Sequence, residues 1–232
     1  MRAPALALLL ALPAGAALAQ APAGGARPGA SPGAPVALGA QAGADAVDPT
    51  DRRAVIERAN AWLNSVSVLT ADFTQTGQDG RRFQGKLYLS KPGRLRFEYE
   101  PPATLEVIAD GSSVAIRDRK LATQDLVGIG QTPLKFLLRE SLDLNRDTTV
   151  LGVAPAGENV SVRLEDRATF GGTSRITLFF DRASFALRRW TIRDPQGFET
   201  TVSLANLDTR TRPSASLFRI DYQVLRDSNS NR

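Results

Sequence analysis

Neither cysteine nor histidine occurs among the 232 residues. A thiol nucleophile, a disulfide framework, a Ser-His-Asp triad and a Cys- or His-ligated metal are therefore excluded. A lipidated N-terminal cysteine is excluded with them. Carboxylates remain, 24 Asp+Glu in all. They fall at turns and on the polar sides of alternating stretches, where solvated charge is expected, and nothing marks an acid–base pair. Gly128-Ile129-Gly130 begins like a dinucleotide loop, but the third glycine and the strand-turn-helix setting are missing. The chain is therefore expected not to be an enzyme and to need no cofactor or metal. Lys+Arg number 29 against those 24 acids, a net +5, with no block of like charge that would mark a nucleic-acid arm. Such a surface would more readily meet anionic lipid head groups or an acidic partner.

What stands out instead is apolar side chains on many alternating stretches. In Lys91-Pro92-Gly93-Arg94-Leu95-Arg96-Phe97-Glu98-Tyr99-Glu100-Pro101-Pro102, Leu95, Phe97 and Tyr99 alternate with charged residues. That is a strand with one dry and one wet face, stopped at both ends by proline. Leu69, Ala71 and Phe73 alternate in the same way, as do Phe83, Gly85, Leu87 and Leu89. Leu105 to Ala109, then Asp110-Gly111, then Val114 and Ile116 read as a hairpin. Leu121 to Leu126, Thr148 to Val153, Asn159 to Glu165, Ser174 to Phe180, Phe185 to Arg193, Phe198 to Leu207 and Leu217 to Tyr222 complete about 11 strands. One face of such a sheet must pack on something, and what helices leave uncovered faces a cavity.

Two helices interrupt this pattern. Thr50 is expected to cap the first, whose stripe is Val55, Ala59, Trp62, Leu63 and Val66. Thr132-Pro133 opens the second, apolar nearly all round through Leu134, Phe136, Leu137, Leu138 and Leu142. It would serve either as a plug at the end of the sheet or as a lid over a cavity. Upstream, Ala3 to Leu12 and Ala17-Leu18-Ala19 read as an export signal over 1–19, cleaved before Gln20. An Ala/Pro/Gly-rich linker over 20–49 is too poor in large apolar residues to fold. The folded domain is expected over 50–226, with a frayed tail over 227–232.

From Thr50 to Tyr222 the chain resembles the LolA-type outer-membrane lipoprotein carriers. The resemblance is carried in order by Asp72-Phe73-Thr74-Gln75, Gly85-Lys86-Leu87-Tyr88-Leu89, the Lys91 to Tyr99 stretch and Ala109-Asp110-Gly111. Thr132-Pro133-Leu134, Ile176 to Asp181, Leu187 to Trp190, Asp194-Pro195-Gln196-Gly197 and Leu217-Phe218 continue it. It implies a mainly β (α+β) fold: an incomplete, unclosed antiparallel β-barrel of about 11 strands with a helical lid over a hydrophobic cavity. It implies a monomeric periplasmic carrier for acylated lipoproteins, loaded by an inner-membrane lipoprotein-releasing ABC transporter and unloaded to an outer-membrane acceptor. A sensor or adaptor on the same half-barrel, or a general lipid binder, are the alternatives. Parity places Phe73, Leu87, Leu89, Phe97, Tyr99 and Trp190 on or near the cavity wall; Trp62 of the helical stripe is expected to reach it too, and so is Leu95, which the resemblance matches to an aromatic position associated with transporter engagement. The resemblance further implies a latch in which an arginine before the proline of the Lys91 stretch bonds backbone carbonyls. Here that position is Lys91, which lacks the planar fork. Leu63, Leu137, Leu138 and Ile176 match positions around the latch, and Leu134 belongs to the lid.

Overall fold

The computed structural model describes residues 48–223. The expected leader over 1–19, residues 20–47 of the linker and the tail over 227–232 lie outside the described residues. Strands dominate: β1 (Val68–Gly77), β2 (Arg82–Ser90), β3 (Arg94–Tyr99), β4 (Leu105–Asp110), β5 (Ser113–Asp118), β6 (Thr123–Gly128), β7 (Thr149–Ala156), β8 (Asn159–Thr169), β9 (Gly172–Asp181), β10 (Leu187–Arg193) and β11 (Glu199–Asp208). They form one antiparallel sheet in the order β6-β5-β4-β3-β2-β1-β11-β10-β9-β8-β7. This matches the unclosed, mainly β barrel that the family resemblance implies.

The order dictates where the lid goes. The chain leaves the middle of the sheet at β1, meanders to the edge at β6, and resumes at the opposite edge with β7. It then meanders back until β11 pairs with β1. The segment between β6 and β7 must therefore cross the gap between the two free edges. A 3-10 turn (Ile129–Gln131), α2 (Lys135–Leu138) and α3 (Leu144–Asp147) make that crossing.

Period-2 alternation sends one set of side chains inward. Leu87 faces Phe97, Phe97 faces Val107 and Val107 faces Ile116 across successive strands. All are buried in one apolar cluster that also takes in Leu69, Phe73, Leu178, Phe180 and Trp190. Gly85 sits among these inward positions for a steric reason. A Cβ there would lie 2.0 Å from the Glu98 carbonyl oxygen and 2.9 Å from the Phe73 ring. The outward positions carry ion pairs, such as Lys86 with Asp72.

Helix α1 (Arg52–Ser65) lays Val55, Ile56, Ala59 and Leu63 into the same cluster. Its cap is Asp51 and not Thr50. The Asp51 carboxylate accepts from the N–H groups of Arg53 and Ala54, where negative charge meets the positive end of the helix. Two other expectations are corrected. The second helix is not continuous: α2 is one turn, and Thr132 caps the turn that leads into it, its hydroxyl accepting from the Leu134 N–H at 3.2 Å. Leu217 to Tyr222 is not a strand. Ala215–Phe218 forms a 3-10 turn lying over the outer face of β3 and β4, where Arg96 Nη1 donates to the Leu217 carbonyl at 3.2 Å and Phe218 is buried.

Candidate functional site

The concave face of the sheet is filled from above by the crossing segment. Leu134, Phe136, Leu137, Leu138, Leu142 and Leu144 are all buried in the apolar cluster. Phe136 meets Trp190 edge-on at 5.8 Å. Trp190 in turn meets Phe97 at 6.4 Å, and Phe73 sits edge-on to both Phe97 (5.1 Å) and Tyr99 (5.0 Å). Offset and edge-on arrangements of this kind suit the ring quadrupoles. Among the described residues a small cavity of about 20 Å³ lies between lid and wall, lined by Gln75, Phe97, Tyr99, Pro133, Leu134, Trp190, Ile192, Thr200 and Val202. That is room for roughly one water molecule. The lid is closed, and its own side chains occupy the interior.

Polar groups fasten the lid at its two ends. On the α1 side, the Asn64 amide pairs with Leu142 in both directions: Nδ2 donates to the Leu142 carbonyl (2.9 Å) and Oδ1 accepts from its N–H (2.8 Å). Asn60 Oδ1 accepts from the Leu144 N–H at 3.0 Å. The Gly93 N–H donates to the Leu138 carbonyl at 2.8 Å. Gly93 has φ +76, and a Cβ there would stand 2.7 Å from the Gly111 Cα, so only glycine lets this turn pack against the turn between β4 and β5.

On the β8 side, Lys135 Nζ lies 2.6 Å from Asp166 Oδ1, both nearly sealed from solvent. Asp166 Oδ1 also accepts from the Ala168 N–H, while Oδ2 is buried without a hydrogen bond among the described residues. Beside this pair the Phe170 N–H donates to the Gln131 carbonyl at 2.9 Å.

Lys91 reaches neither end of the lid directly. Its ammonium donates to the carbonyl of Leu63, in the last turn of α1, and its N–H donates to Ser67 O at 2.8 Å. It thus supplies the cation that α1 lacks near its C-terminus. No carboxylate pairs with it among the described residues, and burial pushes its pKa down to about 8.

A family model described as outer membrane lipoprotein carrier protein LolA matches residues 64–221. The chain belongs to the LolA family. It is 27% identical over 176 residues to the outer-membrane lipoprotein carrier protein of Chromobacterium violaceum, covering 62% of this chain and 85% of that one. With the carrier of Methylococcus capsulatus it shares 28% over 171 residues, covering 70% and 81%. A solved LolA superfamily protein from Nitrosomonas europaea overlaps loosely, with a TM-score of 0.42 at 10% identity over 74% of this chain and 98% of that one.

Of the wall residues expected for a LolA-type cavity, Phe97, Tyr99 and Trp190 line the cavity, joined by Leu134 of the lid. Phe73 backs them through its ring contacts. Leu87, Leu89 and Leu95 face the same interior nearer its other end, fully buried. Trp62 does not line the cavity; it is half-buried on α1 and meets Phe180 edge-on at 6.2 Å. Leu63 is the acceptor of the Lys91 bond, Leu138 that of the Gly93 bond, and Leu137 and Ile176 are buried in the interior cluster. Gln75, Thr200, Ile192 and Val202 were not singled out from sequence. Gln75 was within reach, because it continues the inward parity of Leu69, Ala71 and Phe73. The Lys135–Asp166 pair had no such signal, since the two residues are 31 positions apart.

Proposed function

We propose that this protein carries the acyl chains of lipoproteins through the periplasm, from an inner-membrane lipoprotein-releasing transporter to an outer-membrane acceptor. Membership of the LolA family supports it. So does the absence of any helix among the described residues long and apolar enough to cross a membrane. The observation that carries the reading is the lid. Its apolar side chains fill the inside of a barrel whose edges never pair, and a guest can take their place.

The magnitudes make the exchange reasonable. Fully burying one Leu or Phe is worth about 1.5–3 kcal/mol. Lifting Leu134, Phe136, Leu137, Leu138 and Leu142 out of the interior would thus cost roughly 7–15 kcal/mol. Burial of an acyl chain recovers about 0.8 kcal/mol per methylene, so one or two long chains replace what the lid gives up. Neither state is then far below the other, which a carrier that must load and unload requires. In water the same chains would face a penalty of tens of kcal/mol by that scale. Lys91, Leu63, Leu134, Leu137, Leu138 and Ile176 serve the lid and its latch in this reading. Trp190, Phe97, Tyr99, Phe73, Leu87, Leu89 and Leu95 form the acyl-facing wall. The transfer needs no bond made or broken.

Depletion tests it. Without the protein, acylated lipoproteins are expected to remain with the inner membrane on fractionation. Normal distribution between the two membranes in depleted cells would contradict the proposal.

A further inference from the structure

The polar groups of the interior are gathered at one end. Gln75 stands two residues from the end of β1, Tyr99 ends β3, and Thr200 is the second residue of β11. All three are nearly inaccessible, at 6, 4 and 3% exposure, and all line the small cavity beneath Pro133 and Leu134. The Tyr99 O–H donates to Gln75 Oε1 at 2.6 Å. With its oxygen so engaged, the Gln75 amide presents N–H donors at its other end.

Placing amide and hydroxyl groups in this interior is costly wherever they are incompletely bonded, and apolar groups of the same shape would pack it without that cost. At the opposite end of β1 to β3 the inward residues are aliphatic, Leu69 meeting Leu89 and Leu89 meeting Leu95. From Leu69 to Gln75 the strand rises about 20 Å. The groove therefore has an apolar depth and a hydrogen-bonding mouth under the edge of the lid.

We infer that the Gln75 amide N–H groups, held in orientation by the Tyr99 hydroxyl, form a seat for a carbonyl oxygen at the head end of a bound acyl chain. The ligand class is an amphiphile whose chains are joined to their head group by ester or amide links. The seat fixes how deep the chains run and selects them over ether-linked or plain hydrocarbon chains of equal length. This inference rests on the carrier reading above and adds to it the chemistry of the chain's attachment.

The test uses the purified protein and two synthetic lipopeptides of equal chain length, one with ester-linked chains and one a dialkyl ether. Titration calorimetry reads the two affinities. The wild-type protein is expected to favour the ester by roughly three- to tenfold, the size of one net hydrogen bond. In Gln75→Leu, and separately in Tyr99→Phe, the two affinities should come within about twofold of each other. The second variant deletes a single oxygen and keeps the ring contacts with Phe73. Equal affinities in the wild-type protein, or an ester preference retained in both variants, would overturn the seat while leaving the carrier reading intact. Failure of the wild-type protein to bind either compound would overturn both.

Discussion

The two ends of the lid are held by different physics. At the β8 end, Lys135 and Asp166 form a buried ion pair, charge against charge. At the α1 end no ion pair does the holding: the Asn64 amide, Asn60 (which also donates to the Asp143 carboxylate at 3.5 Å) and the Gly93 N–H on the Leu138 carbonyl do. The lysine at that end, Lys91, is turned to α1 and has only a carbonyl for a partner. A buried pair gives its full destabilisation only when one member is removed, because the other is left as an uncompensated charge. Neutral hydrogen bonds exchange with water for about 1 kcal/mol each. In the carrier reading proposed above, the difference sets an order of opening: the α1 end would release and reform readily, with the β8 end as the hinge.

The most damaging change is expected at the pair. Asp166→Leu should lower stability by about 3–5 kcal/mol, read from urea unfolding. The double variant Lys135→Met, Asp166→Leu should recover most of that loss. If the double variant is as damaged as the single, the pair is not the anchor described. Next in size is Asn64→Ala, which removes both bonds to Leu142 and is expected to cost about 1–2 kcal/mol. Hydrogen exchange should quicken around Leu142 and Leu144 and stay slow at Lys135. Quickening at both ends together would erase the distinction.

Lys91→Leu should cost less, about 1 kcal/mol or under, because the lost bond to Leu63 is offset by relief of a buried charge. The sign of its pH dependence follows from burial. The Lys91 pKa is about 8 against an ordinary 10.5. Between those values the unfolded chain holds the proton and the folded one has released it. The Lys91 contribution to stability therefore rises with pH across that window and is flat below it. The gap between the parent and Lys91→Leu should accordingly move in the parent's favour from pH 7 to pH 9.5, and an unchanged gap would remove this account of Lys91. Lys91→Arg restores the fork that the family resemblance expects, and is predicted to slow release of a bound lipopeptide. Unchanged release would mean that the planar fork adds nothing to what the lysine already does.

Most strands were legible because they have one wet face; β4 is the exception, buried on both. Leu95, Phe97 and Tyr99 alternate with charge, and all three fall inside β3. The lid was not legible to the same degree. Where nearly every residue is apolar, period carries no information, and the helix breaks after Leu138 because distant groups claim its backbone. Gly93 takes the Leu138 carbonyl and Asn64 takes Leu142. The same blindness hid Lys135 within a run of leucines, since its partner is set by sheet pairing and not by local pattern. Leu217 to Tyr222 misled in the opposite way. Phe218 is buried against the outside of the sheet by tertiary contact, in a segment that pairs with no strand. At the candidate site, parity found Phe97, Tyr99 and Trp190 by their rings but passed over Gln75 and Thr200. Polar side chains on an inward register look like solvent-facing ones until the register is known.

The central claim is that acyl chains occupy the space the lid now fills, against Trp190. The chain has two tryptophans, so Trp62→Phe leaves Trp190 as the sole emitter. A lipopeptide brominated along its acyl chains is then titrated in, with an unbrominated copy to report binding. The account predicts that Trp190 emission is quenched in step with binding. Binding that proceeds to saturation with Trp190 emission untouched would contradict it.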